Sequence, residues 1–189
     1  MGAGGGGAAA QGGGLMIRPH VGLKYDFSWS KLGLNYTYVD FPNGNISSDA
    51  IALSLDIPFS SLILNWEDDG LTVADYFGVD WSNVSRHRSH LAARFRAYSP
   101  ANGSKNTYGG PLNNSLGLVG VEYSYFIDDN WFTTFETAGA LSGGVGGYAE
   151  LLAGIGYRLP LTNNDKMAIL PALTIGGAGG GSVETGGGF

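Results

Sequence analysis

Apolar and polar residues alternate along this chain with a period of two, over unusually long stretches. From Ile17 to Trp29 the odd positions are Ile17, Pro19, Val21, Leu23, Tyr25, Phe27 and Trp29, and the even ones are Arg18, His20, Gly22, Lys24, Asp26 and Ser28. Successive side chains on a strand point to opposite faces, so this spacing predicts one two-faced strand. Leu32, Leu34, Tyr36 and Tyr38 repeat the pattern against Gly33, Asn35 and Thr37, and "PNG" at 42–44 supplies a turn. Asp49 to Phe59 alternates again, with Ile51, Leu53, Leu55 and Ile57 against Ala50, Ala52, Ser54 and Asp56. "SSLILNWE" and "GLTVADYFGVDW", separated by "DDG" at 68–70, read as two shorter strands. Similar alternation spans Gly117 to Ile127, Trp131 to Ala138, Ala149 to Leu159 and Met167 to Ile175. With residues 84–98, the prediction is about ten antiparallel strands, within a range of 8–12.

Residues 85–100, "SRHRSHLAARFRAYSP", fit two templates. Leu91, Phe95 and Tyr98 recur at helical spacing, but the neighbouring segments all favour strands. On a strand, Arg86, Arg88, Arg94 and Arg96 share one face with His90. Glu122, Glu136 and Glu150 are fourteen residues apart, on the polar parity of three successive strands, and are the expected complement.

Composition narrows the setting. The 189 residues are 43% hydrophobic but only 14% charged, against roughly a quarter in an average soluble domain. There are 33 glycines and no cysteine, which excludes disulfides and thiolate metal sites. A net charge of −6 argues against a nucleic-acid partner, since phosphate binding needs a positive footprint. No apolar run approaches the roughly 18–20 residues of a spanning helix. The opening "MGAGGGGAAAQGGG" lacks the basic start and apolar core of a signal peptide, so the expectation is a cytoplasmic protein or a mature or trimmed chain.

"GGGGAAAQGGGL" at 4–15 and "AGGGSVETGGGF" at 178–189 align without a gap. The Gly-rich segments 2–14 and 176–188 are expected to be neighbours at a closure seam or frayed. The second copy runs to Phe189, which raises the expectation that this single domain, 1–189, is a piece of a longer barrel. "SPANGSKNTYGGP" at 99–111 has no periodicity and reads as an exposed polar loop.

Strands of ten or more residues with one apolar, aromatic face and one small or polar face suit a barrel in lipid, where about 9–11 tilted residues cross the hydrocarbon. "IRPHVGLKYDFSW", "GLVGVEYSYFIDDNWF" and "YAELLAGIGYRLPL" resemble the outer-membrane β-barrels of Gram-negative bacteria, in particular glycine-rich barrels with no assigned activity. The resemblance covers most of the chain and implies an all-β, antiparallel, up-and-down transmembrane barrel in the bacterial outer membrane, with membrane lipid as its partner. Tyr25, Trp29, Tyr36, Tyr38, Tyr123, Tyr125, Trp131 and Tyr157 lie near strand ends, as interfacial girdle residues would. Arg86, Arg88, Arg94 and Arg96 facing Glu122, Glu136 and Glu150 would then make a lumen charge network, serving structure or a narrow charged pore.

Two other functions compete. One is a soluble or lipid-binding barrel with an internal ligand cavity. The other is a lipid-interface hydrolase, because His87 and Ser89 form an H-x-S on the apolar parity of the arginine strand. This resembles the outer-membrane lipid A deacylases, but His90 stands where that family has Asn, and no Glu follows until Glu122. The expectation is therefore a protein with no catalytic residues, no metal site and no cofactor.

Overall fold

The computed structural model describes residues 14–42, 44, 46–64, 84–106, 108–112, 114–144 and 147–180, with backbone alone for 60–64 and 84–87. The strands are β1 (Gly14–Asp26), β2 (Lys31–Asp40), β3 (Ser47–Leu64), β4 (Val84–Pro100), β5 (Leu116–Phe126), β6 (Trp131–Ser142), β7 (Ala149–Tyr157), β8 (Leu159–Pro160) and β9 (Met167–Gly179). Neighbours pair antiparallel in chain order, and β9 returns to β1, closing an up-and-down barrel. The two-residue β8 continues the register of β7 on β9, since Gly156 faces Ala172 and Leu159 faces Ile169. The wall thus has eight staves. Against the expectation of about ten strands, within 8–12, the described residues give eight staves, and Asp49–Phe59 and the start of "SSLILNWE" form one strand, β3. The rest of that segment and all of "GLTVADYFGVDW" lie outside the described residues.

Three prolines mark where the ladders lapse, because proline has no N–H to donate. The β1–β2 ladder skips Arg18 and Pro19, resuming at His20. The β2–β3 ladder ends at Asp56, two residues before Pro58, while β3 and β4 stay paired through Leu64 and Val84. The β7–β9 ladder ends at Ala172, next to Pro171.

A row of partners followed around the wall from Tyr25, through Leu32, Leu55, Ala93, Val121, Thr137, Leu151 and Gly177, returns to β1 at Leu15. A stagger of ten residues over eight strands, at about 3.3 Å per residue and about 4.8 Å per strand, tilts the strands by about 40°. The first part of the Gly-rich segment 176–188 belongs to this seam: Gly176 pairs with Met16 and Leu152, and Gly177 with Leu15 and Leu151.

The tilt and alternation sort the side chains into two surfaces. Val21, Leu23, Leu34, Ile51, Leu53, Ile57, Phe95, Val121, Phe135, Ile155, Leu173 and Ile175 are exposed on the outer wall. Strand charges on the outward parity are confined to Asp40 and Asp49, both at the mouth that also holds Gly14 and Gly179. The interior at that mouth is filled by an apolar cluster that includes Met16, Val39, Phe41, Tyr98, Leu116, Leu118, Tyr148 and Leu152. Phe126, Phe132, Ala168 and Leu170 form a smaller cluster near the opposite mouth.

The alternation through Trp29 overruns the strand. β1 ends at Asp26, whose Oδ1 accepts from Ser28 N at 2.7 Å, and Ser28 takes φ of 78° in a turn closed by Phe27 N to Ser30 O. Asp128 does the same in the β5–β6 turn: its Oδ1 accepts from Asn130 N at 2.7 Å and Trp131 N at 2.6 Å, and these two N–H donors hold its carboxyl below the ordinary value. Within 99–111 the chain is also tied down, with Ser104 buried and Lys105 bridged to Pro111.

Two outcomes are expected. A Cβ added at Gly154 or Gly176 would collide with the backbone carbonyl of Leu173 or Leu151, whereas one at Gly177 meets nothing within 4 Å. Gly154→Ala and Gly176→Ala should each lower stability by about 1–3 kcal/mol, and Gly177→Ala should leave it unchanged or slightly raised. Denaturant midpoints for the three variants check this. For Asp128, the depressed folded-state value means that its contribution is present above the unfolded carboxylate value of 3.8 and is lost as pH falls through the lower folded value. A carboxyl carbon NMR titration with its midpoint at or above 3.8 would contradict the turn geometry.

Candidate functional site

The interior charges meet at mid-barrel because their strands turn the same parity inward. Arg18 comes from β1, Arg94 and Arg96 from β4, and Glu122, Glu136 and Glu150 from β5, β6 and β7. All six are buried. Small residues give them room: Arg94 stands opposite Gly120 and Ser54, and Arg96 opposite Ala52.

Glu136 is the hub. Arg18 grips it with both terminal nitrogens, Nη1 donating to Oε1 at 3.0 Å and Nη2 to Oε2 at 2.5 Å. Arg96 Nη2 also donates to Glu136 Oε1, and Arg94 Nε lies 3.9 Å from Oε2. Arg94 donates to Glu122, whose Oε1 also accepts from Ser124 Oγ at 3.1 Å. Arg96 Nη1 donates to Glu150 Oε2 at 2.9 Å, and Tyr148 OH donates to Glu150 Oε1 at 3.1 Å. Arg18 Nε is satisfied by Thr174 Oγ1 at 3.1 Å. Three guanidinium groups thus balance three carboxylates, so the buried cluster carries no net charge. Nearer the mouth opposite the seam, Lys24 pairs with Asp56.

Arg94, Arg96, Glu122, Glu136 and Glu150 therefore converge. Arg88 does not join them, although it shares their parity. It faces Phe126, where β5 ends, so the inner wall stops there. Its guanidinium lies 4.3 Å from the centre of the Phe126 ring, and Nη2 donates to the Asp129 carbonyl at 2.9 Å in an exposed position. Arg86 is in β4 opposite Leu62, and its side chain lies outside the described residues. Among the described residues, Arg18, Lys24 and Asp56 are the other charged groups that are buried. Arg18 and Lys24 sit on the polar parity of β1, and that parity was the available signal; only the barrel's closure shows which carboxylate each one meets.

Ser89 lies on the outward parity, and its Oγ is 3.1 Å from Tyr123 OH. The three glutamates point into the lumen, on the other side of the wall, so none shares a face with Ser89. His87 pairs with Ser61 in the backbone ladder, and its side chain lies outside the described residues. Among the described residues no group of three or more His, Asp or Glu could hold a metal ion. At each mouth a cavity of about 10 Å³ has room for roughly one water molecule.

No family model matches this chain, and neither does any curated protein or solved structure.

Removing the hub should be costly. Glu136→Gln leaves Arg18 and Arg96 short of a buried counter-charge, a loss of about 3–5 kcal/mol. Asp165→Asn removes a carboxylate that is 68% exposed and 3.4 Å from Arg158, worth about 0–1 kcal/mol. Equilibrium unfolding of both variants tests the ranking, and equal losses would contradict it.

Proposed function

We propose that this chain is a transmembrane β-barrel of a Gram-negative outer membrane, sealed along its axis and structural in role. The observation that carries the reading is the inversion of the wall: interior charges form ion pairs, while the outer surface is a continuous apolar belt. Along β3 the outward face runs from Asp49 through Ile51, Leu53, Leu55 and Ile57 to Phe59. The ten steps from Asp49 to Phe59, at about 3.3 Å each and tilted by about 40°, rise about 25 Å, on the scale of the apolar band in transmembrane barrels.

Aromatic residues flank the belt, which supports the same reading. Tyr25, Phe27, Trp29, Trp131 and Tyr157 surround one mouth, with Trp131 and Tyr157 in edge contact at 5.0 Å. Tyr36 and Tyr38 lie toward the other, where Tyr36 OH donates to Asp49. Closure pairs the strands on both sides around the belt as far as Asp56, as a medium without hydrogen-bond partners demands.

The filled interior favours the structural role over the pore. An open path would have to cross both the apolar cluster at the seam mouth and the neutral Arg–Glu network. A soluble ligand-binding barrel would need a roomier lumen and a wetter exterior than the described residues provide.

Purification tests the proposal. The protein should require detergent, and unboiled samples should migrate anomalously on SDS gels. Monodisperse behaviour without detergent would overturn the membrane reading. In planar bilayers the refolded barrel should show no steady conductance; an open ohmic channel would restore the pore.

A further inference from the structure

The mouth ringed by Tyr25, Trp131 and Tyr157 contains a polar group that the barrel itself does not use. His90 is buried, 3% exposed, and neither ring nitrogen has a hydrogen-bond partner among the described residues. Its ring packs 4.8 Å from that of Phe126 and forms part of the wall of the small cavity at this mouth. An imidazole in any protonation state carries at least one N–H, and a buried donor left unbonded is costly.

Among the described residues the charges around that cavity are lopsided. Lys24, Lys31, Arg158 and Lys166 line it, against the carboxylates of Asp26 and Asp165, although the chain as a whole has a net charge of −6. Lys24 is committed to Asp56 and Lys31 to Asp26. Arg158 is only loosely held, 3.4 Å from Asp165, and the Lys166 ammonium makes no ion pair among the described residues. The cavity of about 10 Å³ admits one oxygen-sized atom, so a ligand would have to insert a single atom while its bulk stayed at the rim.

We propose that this mouth binds a phosphate group, one oxygen reaching the His90 N–H and the others held by Arg158 and Lys166. Arg158 offers the planar donor fork that suits phosphate oxygens, and Lys166 a free point charge. The phosphate can come from a lipid headgroup or from solution. Leu159 and Leu161 are exposed beside Arg158, as an acyl chain running down the wall would require. The lipid source rests on the membrane reading, whereas the phosphate site does not.

The test uses the full chain refolded in a maltoside micelle, which contains no phosphate, with the His90 ring signals observed by NMR and assigned through His90→Gln. Inorganic phosphate is titrated against chloride at matched ionic strength; a second series dopes the micelle with phosphatidic acid. The expected result is a saturable shift of the His90 signals with phosphate and none with chloride, weakened at least tenfold in Arg158→Gln/Lys166→Gln and retained in Arg158→Lys. A response to phosphatidic acid at low mole fraction identifies the lipid source, and a response to inorganic phosphate alone identifies the free anion. Arg158 lies between β7 and β8 and Lys166 in the turn before β9, so the gel-shift assay should still show a folded barrel. Signals unmoved by either probe, or moved equally in the double variant, would overturn the site. A protein that needs no detergent sinks the membrane reading, yet leaves the inorganic phosphate series fully informative.

Discussion

The double grip of Arg18 on Glu136 is the contact on which the interior depends. It joins β1 to β6 across the lumen, and Glu136 in turn holds Arg96 of β4. Buried charges are tolerated only when paired and hydrogen-bonded, and here Thr174, Tyr98, Tyr148 and Ser124 supply further bonds to the network. Breaking the hub would leave at least two buried arginines short of their counter-charge.

That constraint explains the composition of the wall. An eight-stranded barrel has an interior just wide enough for side chains, so long arginines must be opposed by small residues. Gly120, Ala52 and Ser54 occupy those opposing places, and a Cβ on Gly120 would strike the Thr137 carbonyl and Ala138. The abundance of glycine therefore follows partly from the size of the barrel and partly from its seam. Proline is placed by the same economy of space and bonding: Pro19, Pro58 and Pro171 stand where a ladder lapses, so no partner strand loses a donor it was using.

The surface reverses the usual order of a folded domain. Interior charges neutralise one another, and the apolar side chains that would ordinarily form a core face outward, except for the two clusters that fill the ends. On the membrane reading proposed above, lipid would be the solvent that makes such an arrangement favourable. The mouth near His90 differs from the opposite mouth in both charge and aromatic content, so the two ends present different chemistry to whatever surrounds them.

The period-two pattern, with the short turns between its segments, pointed to an all-β, antiparallel fold, and it determined the faces: Arg94, Arg96, Glu122, Glu136 and Glu150 share one side because strand geometry leaves them no other. Tertiary structure decided the rest. Closure brought Arg18 to Glu136 over a separation of 118 residues, and no spacing along the chain encodes that distance. The length of β5 removed Arg88 from the network, since a strand ending at Phe126 leaves that rung of β4 without an inner wall. Strand number and stagger were likewise invisible in the pattern, because alternation reports which way a side chain points and carries no information about which strand lies beside it.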